Sequence, residues 1–184
     1  RLASQAYREP VSTAEVQTLV GFYEKGRRGA DFEAGIQVAL EALLASPRFV
    51  FRLEQPPATA KVGQTFQVAD LDLASRLSYF IWGTGPDQEL IKAATAGTLK
   101  TSAGLDRQVR RMLADPRAEA LTTNFASQWL YLRNLNAAVP NLRLYPDFDD
   151  NLRQAFRRET ELFFQSVVQD GKSVLTLLDA DYTF

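Results

Sequence analysis

Helix-start signals recur along the whole of this 184-residue chain and leave little room between them for anything but helices. Ser12-Thr13-Ala14-Glu15 is a capping box, in which hydroxyl and carboxylate each satisfy a backbone N–H that the first helical turn leaves open. Val16, Leu19, Val20 and Tyr23 follow at helical spacing, and Gly26 and Gly29 end that helix. Asp31 can cap a second helix with the stripe Phe32, Ile36, Ala39, Leu40, Leu43 and Leu44. Ser46-Pro47 and Asp115-Pro116 share one device: a capping side chain, then a proline whose missing N–H costs nothing at the first helical position. The Ser46 copy starts a short turn through Phe49, Val50 and Phe51, a stretch apolar enough to suit a buried strand instead.

The later signals follow the same logic. Asp70 opens a helix running through Leu73, Leu77, Phe80 and Ile81 to Trp82, and its second half is apolar nearly all round, as a central helix would be. Gly83 and Gly85 stop it, and Pro86 with Asp87 and Glu89 begins the next. Ser102 or Thr101 caps a helix with Leu105, Val109, Met112 and Leu113 inward and Arg107, Arg110 and Arg111 outward. Asp147 or Asp149 begins a long helix that ends at Gly171. Thr65 to Val68 alternates over four residues only, a weak strand signal. The expected fold is all-α, an irregular multi-helix bundle of about eight helices. Gln55 to Gln64, with Pro56, Pro57 and Gly63, reads as a linker. The expected division is therefore an N-terminal helical subdomain over 1–55 and a larger helical domain over 65–184.

Composition removes whole classes of chemistry. The chain has no cysteine and no histidine, which excludes disulfides, Cys/His zinc sites, haem attachment by C-x-x-C-H and any Ser-His-Asp triad within it. General acid–base work would fall to Asp, Glu, Lys or Tyr. A net charge of −1 offers no footprint for nucleic acid, and no apolar run reaches the length of a membrane span. The chain begins at Arg1, has Met112 as its only methionine and stops soon after Val174, Leu175, Leu177 and Leu178. It reads as a piece of a longer protein, with the larger domain truncated at its C-terminal end.

The polar residues that stand out lie between Phe125 and Phe164. In the helix launched by Asp115-Pro116, Leu121, Phe125, Gln128 or Trp129, and Leu132 form the apolar stripe. Asn124 and Gln128 border it one turn apart, as an amide pair lining a pocket or as helix-packing hydrogen bonds. In the long helix the stripe is Leu152, Phe156, Phe163 and Val167, and helical steps from Phe156 to Phe163 land on Glu159. An inward carboxylate must be paired or its pKa rises, and Arg133, Arg157 and Arg158 are the available partners. Glu159 is thus either a general base or metal ligand, or half of a structural ion pair. Asn124, Gln128, Arg133 and Arg158 make up the candidate polar core or pocket. Asp147, Asp149 and Asp150 suit helix capping better than calcium, since they lack the spaced D-x-D-x-D-G pattern. The basic face of Arg107, Arg110, Arg111 and Arg117 is interspersed with Asp106, Asp115 and Glu119, as a solvated helix surface is. Gly26-Arg-Arg-Gly29 lacks the Lys-Ser/Thr of a phosphate loop.

Several of these segments carry a family likeness. Ala6-Tyr-Arg-Glu-Pro-Val-Ser12, Phe32-Glu-Ala-Gly-Ile36 and Ser46-Pro-Arg-Phe49 resemble one domain of large uncharacterised planctomycetal proteins with fused c-type cytochrome modules. The stretch from Asp70 to Gly83, Met112-Leu-Ala-Asp-Pro-Arg117, Phe125 to Leu135, Arg158-Glu-Thr-Glu-Leu-Phe163 and Leu178-Asp-Ala-Asp-Tyr-Thr-Phe184 resemble the domain that follows it there. The resemblance implies two consecutive domains of unknown function in an extracytoplasmic protein of the periplasm or cell envelope. It implies no cofactor in this chain, haem c elsewhere in the parent, and partners in the remainder of that polypeptide, a c-type cytochrome module among them. The resulting expectation is a non-catalytic helical scaffold or docking module. The alternative is an extracytoplasmic enzyme domain acting on a polymer or redox substrate through carboxylates, with Glu159 the first residue to test.

Overall fold

The computed structural model describes residues 1–54 and 56–184. Among the described residues the chain is all-α with no strand. It has ten α-helical segments and one π-helical segment, joined in places by 3₁₀ turns, which is slightly more than about eight helices. The surplus comes from one-turn pieces and from a stretch after Asp115 that changes helix type repeatedly. Gln55, where the expected linker begins, lies outside the described residues. From 56 to 69 the backbone carries turns and neither helix nor strand, so the short alternation at Thr65–Val68 forms no ladder. No helix among the described residues is long and apolar enough to cross a membrane.

The chain forms two compact units that interleave in sequence: Arg1–Tyr79 with Thr84–Gln108, and Phe80–Gly83 with Val109–Phe184. The first contains α1 (Leu2–Tyr7), α2 (Thr13–Arg27), α3 (Phe32–Leu44), α4 (Pro47–Val50), most of α5 (Asp70–Trp82), α6 (Gln88–Thr95) and the start of α7 (Ser102–Leu113). Its starts follow the capping chemistry. The Glu15 N–H donates to the Ser12 hydroxyl at 3.3 Å and the Ser12 N–H to the Glu15 carboxylate at 2.6 Å, closing the box. Asp31, Ser46 and Asp87 accept from the N–H groups of Ala34, Arg48 and Leu90. Ser46-Pro47 therefore starts a helical turn rather than a strand. α2 and α3 pack as a hairpin so close that a Cβ at Gly26 would lie 2.7 Å from the Ala34 carbonyl oxygen, and one at Gly35 2.7 Å from the Tyr23 ring. Gly26 thus lies inside the last turn of α2 and serves contact rather than termination. Leu43, Ala74, Leu90, Ile91, Ala94 and Leu99 are the buried apolar side chains of this unit.

The second unit holds the ends of α5 and α7, a 3₁₀ turn over Pro116–Ala118 and the π segment Leu121–Ala126. It continues with α8 (Ser127–Trp129), a 3₁₀ run over Leu132–Ala137, α9 (Asp150–Gln169) and α10 (Thr176–Asp179). Leu121, Ala126 and Phe164 form its apolar centre, with Leu113, Val168 and Leu177 packed on them. Trp82 is 3% exposed, and its indole N–H donates to the Met112 carbonyl at 2.9 Å. Arg117 and Arg111 lie over its ring at 3.6 and 5.4 Å. Two of the basic face's four arginines thus cover a core aromatic. α9 starts from Asp149, whose carboxylate accepts from the Leu152 N–H at 2.7 Å, and Gly171 follows its end with φ +61°, a conformation side chains resist.

Two expected facings are corrected. A period of 3.6 over the Asp115-Pro116 helix places Phe125 and Gln128 or Trp129 inward, between Leu121 and Leu132. The π segment holds more residues per turn, with the Ser127 N–H reaching back to the Thr122 carbonyl, so the stripe shifts. Leu121, Thr122, Ala126, Ser127 and Leu132 are buried, whereas Trp129 is 54% exposed and stacks on the half-exposed Phe125 at 5.9 Å. In α9 the buried residues are Glu161, Phe164 and Val167. Val167 of the expected stripe is buried, but Phe156 lies on the exposed side against Phe148, and the inward carboxylate is Glu161 rather than Glu159.

Candidate functional site

The first unit contains a cleft of about 670 Å³, built from the end of α1, from α4 with the extended segment after it, and from one face of α5. α1 ends at Arg8, a non-glycine residue at φ +61° that is only 8% exposed. Its guanidinium donates to the carbonyl oxygens of Arg48 at 2.5 Å, Phe51 at 2.7 Å and Phe49 at 3.2 Å. The last carbonyls of a helix have no partner within it, so Arg8 acts as a side-chain cap from another element. Arg48 in turn bonds Glu9 at 2.5 Å, pairs with Glu15 and lies over the Tyr7 ring at 4.3 Å. The Ser12 hydrogen bonds, then the Arg48 guanidinium, draw the Glu15 carboxyl down to about 2.

α5 presents Asp72, Ser75 and Arg76 to this cleft, residues whose i, i+3, i+4 spacing puts them on one helical face. Arg76 makes a two-pronged pair with Glu54, at 2.6 and 2.5 Å. Arg52 stacks over the Tyr79 ring at 4.3 Å. Asp72 stands apart: among the described residues it makes no hydrogen bond or ion pair. Burial raises its pKa, the negative charges of Glu54 and Glu9 raise it further, and Arg76 opposes them. A carboxyl so placed can accept a hydrogen bond from a guest or exchange a proton with it. In the sequence Asp72 is one of two acids in the first turn of α5, where acidic side chains are ordinary. The usable signal was a polar stripe, Asp72, Ser75, Arg76 and Tyr79, along a helix otherwise rich in apolar residues.

Glu159 lies elsewhere, in a smaller cleft of about 300 Å³ in the second unit. The Thr183 hydroxyl donates to its Oε1, and among the described residues it is the one carboxylate lining that cleft. Tyr182, on the same rim, meets Phe163 edge-on at 5.7 Å and accepts from the Lys172 ammonium at 3.0 Å, which lowers the phenol's pKa. The carboxylate that is buried and held by arginines is Glu161, 8% exposed, with Arg157 at 3.0 Å and Arg158 at 3.5 Å. The expected pairing chemistry is present two residues further along α9. Asn124, Gln128, Arg133 and Arg158 all lie at the surface, and none of them lines either cleft. Asn124 sits by Gly83, where a Cβ would come within 2.9 Å of its amide nitrogen. The expected polar core is corrected on this point: the π segment turns Asn124 and Gln128 outward, and Arg158 reaches Glu161 from the solvent side.

The remaining acids have local duties. Asp149 caps α9, Asp150 pairs with Arg153 at 3.3 Å, and Asp115 is drawn down to about 2 by its hydrogen bonds to Arg117. Among the described residues no group of three or more acidic side chains is arranged to hold a metal ion.

Neither a curated protein nor a solved structure matches the chain. Residues 1–54 match the PSD5 family, described as a protein of unknown function (DUF1595). Residues 68–184, well over half of the chain, match the PSD4 family, described as a protein of unknown function (DUF1592), and the chain belongs to that family.

Proposed function

We propose that this chain is a non-catalytic helical docking module of an exported protein, working beside a c-type cytochrome module carried by the same polypeptide. The observation that carries the docking half is the apolar surface of the connector before α9. Val139, Leu142, Leu144 and Tyr145 are exposed within seven residues of one another, and Trp129 and Tyr131 are exposed just upstream. Single exposed apolar side chains are ordinary, but a run of them marks a contact surface. The arginines support the same reading from the other side. They tie Glu9, Glu15, Glu54 and Glu161 into structural pairs, which withdraws these four carboxylates from chemistry. The cytochrome and the extracytoplasmic setting rest on the family resemblance. The test is purification of the full-length parent and its visible absorption spectrum. Haem c bands are expected, and their absence sinks the cytochrome half. Leu142→Glu with Tyr145→Glu should release the chain from the rest of the parent in a pull-down, and unchanged capture would overturn the docking half.

A second reading, an extracytoplasmic enzyme domain acting on a polymer or redox substrate through carboxylates, is favoured by one observation: Asp72 is unpaired in the larger cleft. Any turnover found for the parent should then vanish in Asp72→Asn and persist in Glu159→Gln.

A further inference from the structure

The larger cleft has an unusual balance of satisfied and unsatisfied groups. Among the described residues four arginines and three carboxylates line it, and a fourth carboxylate, Glu15, shares Arg48. The charges therefore cancel, and the cleft presents no net field that would select a cation or an anion. Most of these charges are also engaged with one another or with backbone carbonyls. What lacks a hydrogen-bond partner among the described residues is a different set: the Asp72 carboxylate, the Ser75 hydroxyl one turn along the same helix face, the Tyr7 hydroxyl and the Arg52 guanidinium, which lies over the Tyr79 ring, so the two unbonded charges also cancel. A guest must bring donors for Asp72 and either donors or acceptors for the two hydroxyls. It must also have a C–H face, because Phe51 is 56% exposed at the rim. A volume of about 670 Å³ accommodates a ligand of small-molecule size.

We propose that this cleft binds a neutral polyhydroxylated ligand, a saccharide unit, with Asp72 and Ser75 on its hydroxyls and Phe51 against its C–H face. Hydroxyl groups supply donors and acceptors together without adding charge, which is what a balanced cleft admits at least electrostatic cost. The partly dry surroundings that hold the Asp72 pKa up also strengthen a hydrogen bond made there. The ion pairs around it hold Arg48 and Arg76 still, so the polar groups are positioned before the guest arrives. The site depends on neither the docking reading nor the carboxylate-enzyme reading.

The test is saturation-transfer NMR on the 184-residue chain with maltotriose, cellotriose and chitotriose, and with spermine and citrate as charged counterparts. Transfer to at least one trisaccharide is expected. Asp72→Asn and Phe51→Ala should each weaken it by about tenfold, Ser75→Ala by less, and Glu159→Gln not at all. Should Asp72→Asn fail to fold, Phe51→Ala and Ser75→Ala, both at solvent-accessible positions, decide the matter. No transfer to any trisaccharide overturns the proposal. So does trisaccharide binding that none of the cleft variants weakens, or Asp72-dependent binding of spermine or citrate alone.

Discussion

The two units keep charged groups under cover in opposite ways. In the first, long arginine side chains reach across elements far apart in sequence: Arg8 to the end of α4, Arg48 to Glu9 and Glu15, Arg76 to Glu54. In the second, the covered carboxylate is Glu161, held by Arg157 and Arg158 from its own helix, while the centre is apolar around Phe164 and Leu121. Pairs made across elements leave a cleft between the elements they join. Where the pair runs along one helix, the cleft nearby is the smaller one, about 300 Å³. The larger cleft and its unpaired acid therefore occur where arginines pair across elements with carboxylates and carbonyls, whereas in the second unit Arg111 and Arg117 cover the buried Trp82 ring.

The sharpest way to break this comparison is Trp82→Ala, which should cost about 3–5 kcal/mol, against under about 1 kcal/mol for Trp129→Ala. Urea unfolding followed by circular dichroism measures both, and equal losses would refute the corrected facing of the π segment. Arg8→Ala comes next, at about 2–3 kcal/mol, because three carbonyls lose a charged donor in a nearly closed site. Arg8→Lys should recover only part of it, since an ammonium cannot span the same fan of acceptors. Glu161→Ala should cost about 1–2 kcal/mol and Glu159→Gln less than about 0.5 kcal/mol in the same assay. The reverse order would restore the sequence-based phase of α9.

Acid sharpens the picture further. Glu15 and Asp115 have carboxyls lowered to about 2 from ordinary values of 4.5 and 3.8, so folding favours their ionised forms. Their contribution is complete above those ordinary values and disappears as pH falls towards about 2. A plot of unfolding midpoint against pH should fall over that window, and Glu15→Gln should flatten it. Asp72 runs the other way and gives the smallest effect. Its raised pKa means that its ionised form weighs against the fold at neutral pH, and this burden is gone below 3.8, where both states are protonated. Asp72→Asn should thus be neutral to slightly stabilising at pH 7, with the difference fading in acid. A marked loss of stability at pH 7 would mean that Asp72 has a structural partner after all.

Local chemistry was the readable part of the chain. Ser12 with Glu15, Asp31, Ser46-Pro47, Asp87 and Asp149 each act within three or four residues, and each caps the helix that its sequence announced. Facing was less readable. A helix of regular period can be turned by its neighbours, as α9 is, and a π segment breaks the period outright, as at Thr122 to Ser127. The larger cleft was least readable, because Arg8 and its acceptors lie some forty residues apart and no local pattern links them.

The sequence by itself determined that the chain is helical, where most helices start, and that no Cys or His chemistry can operate in it, because caps, prolines and composition act locally or by simple presence. Tertiary structure alone decided which carboxylate is covered and which is left without a partner. Pairing depends on which side chains meet in space: Glu161 meets two arginines, Glu159 meets Thr183, and among the described residues Asp72 makes no hydrogen bond or ion pair.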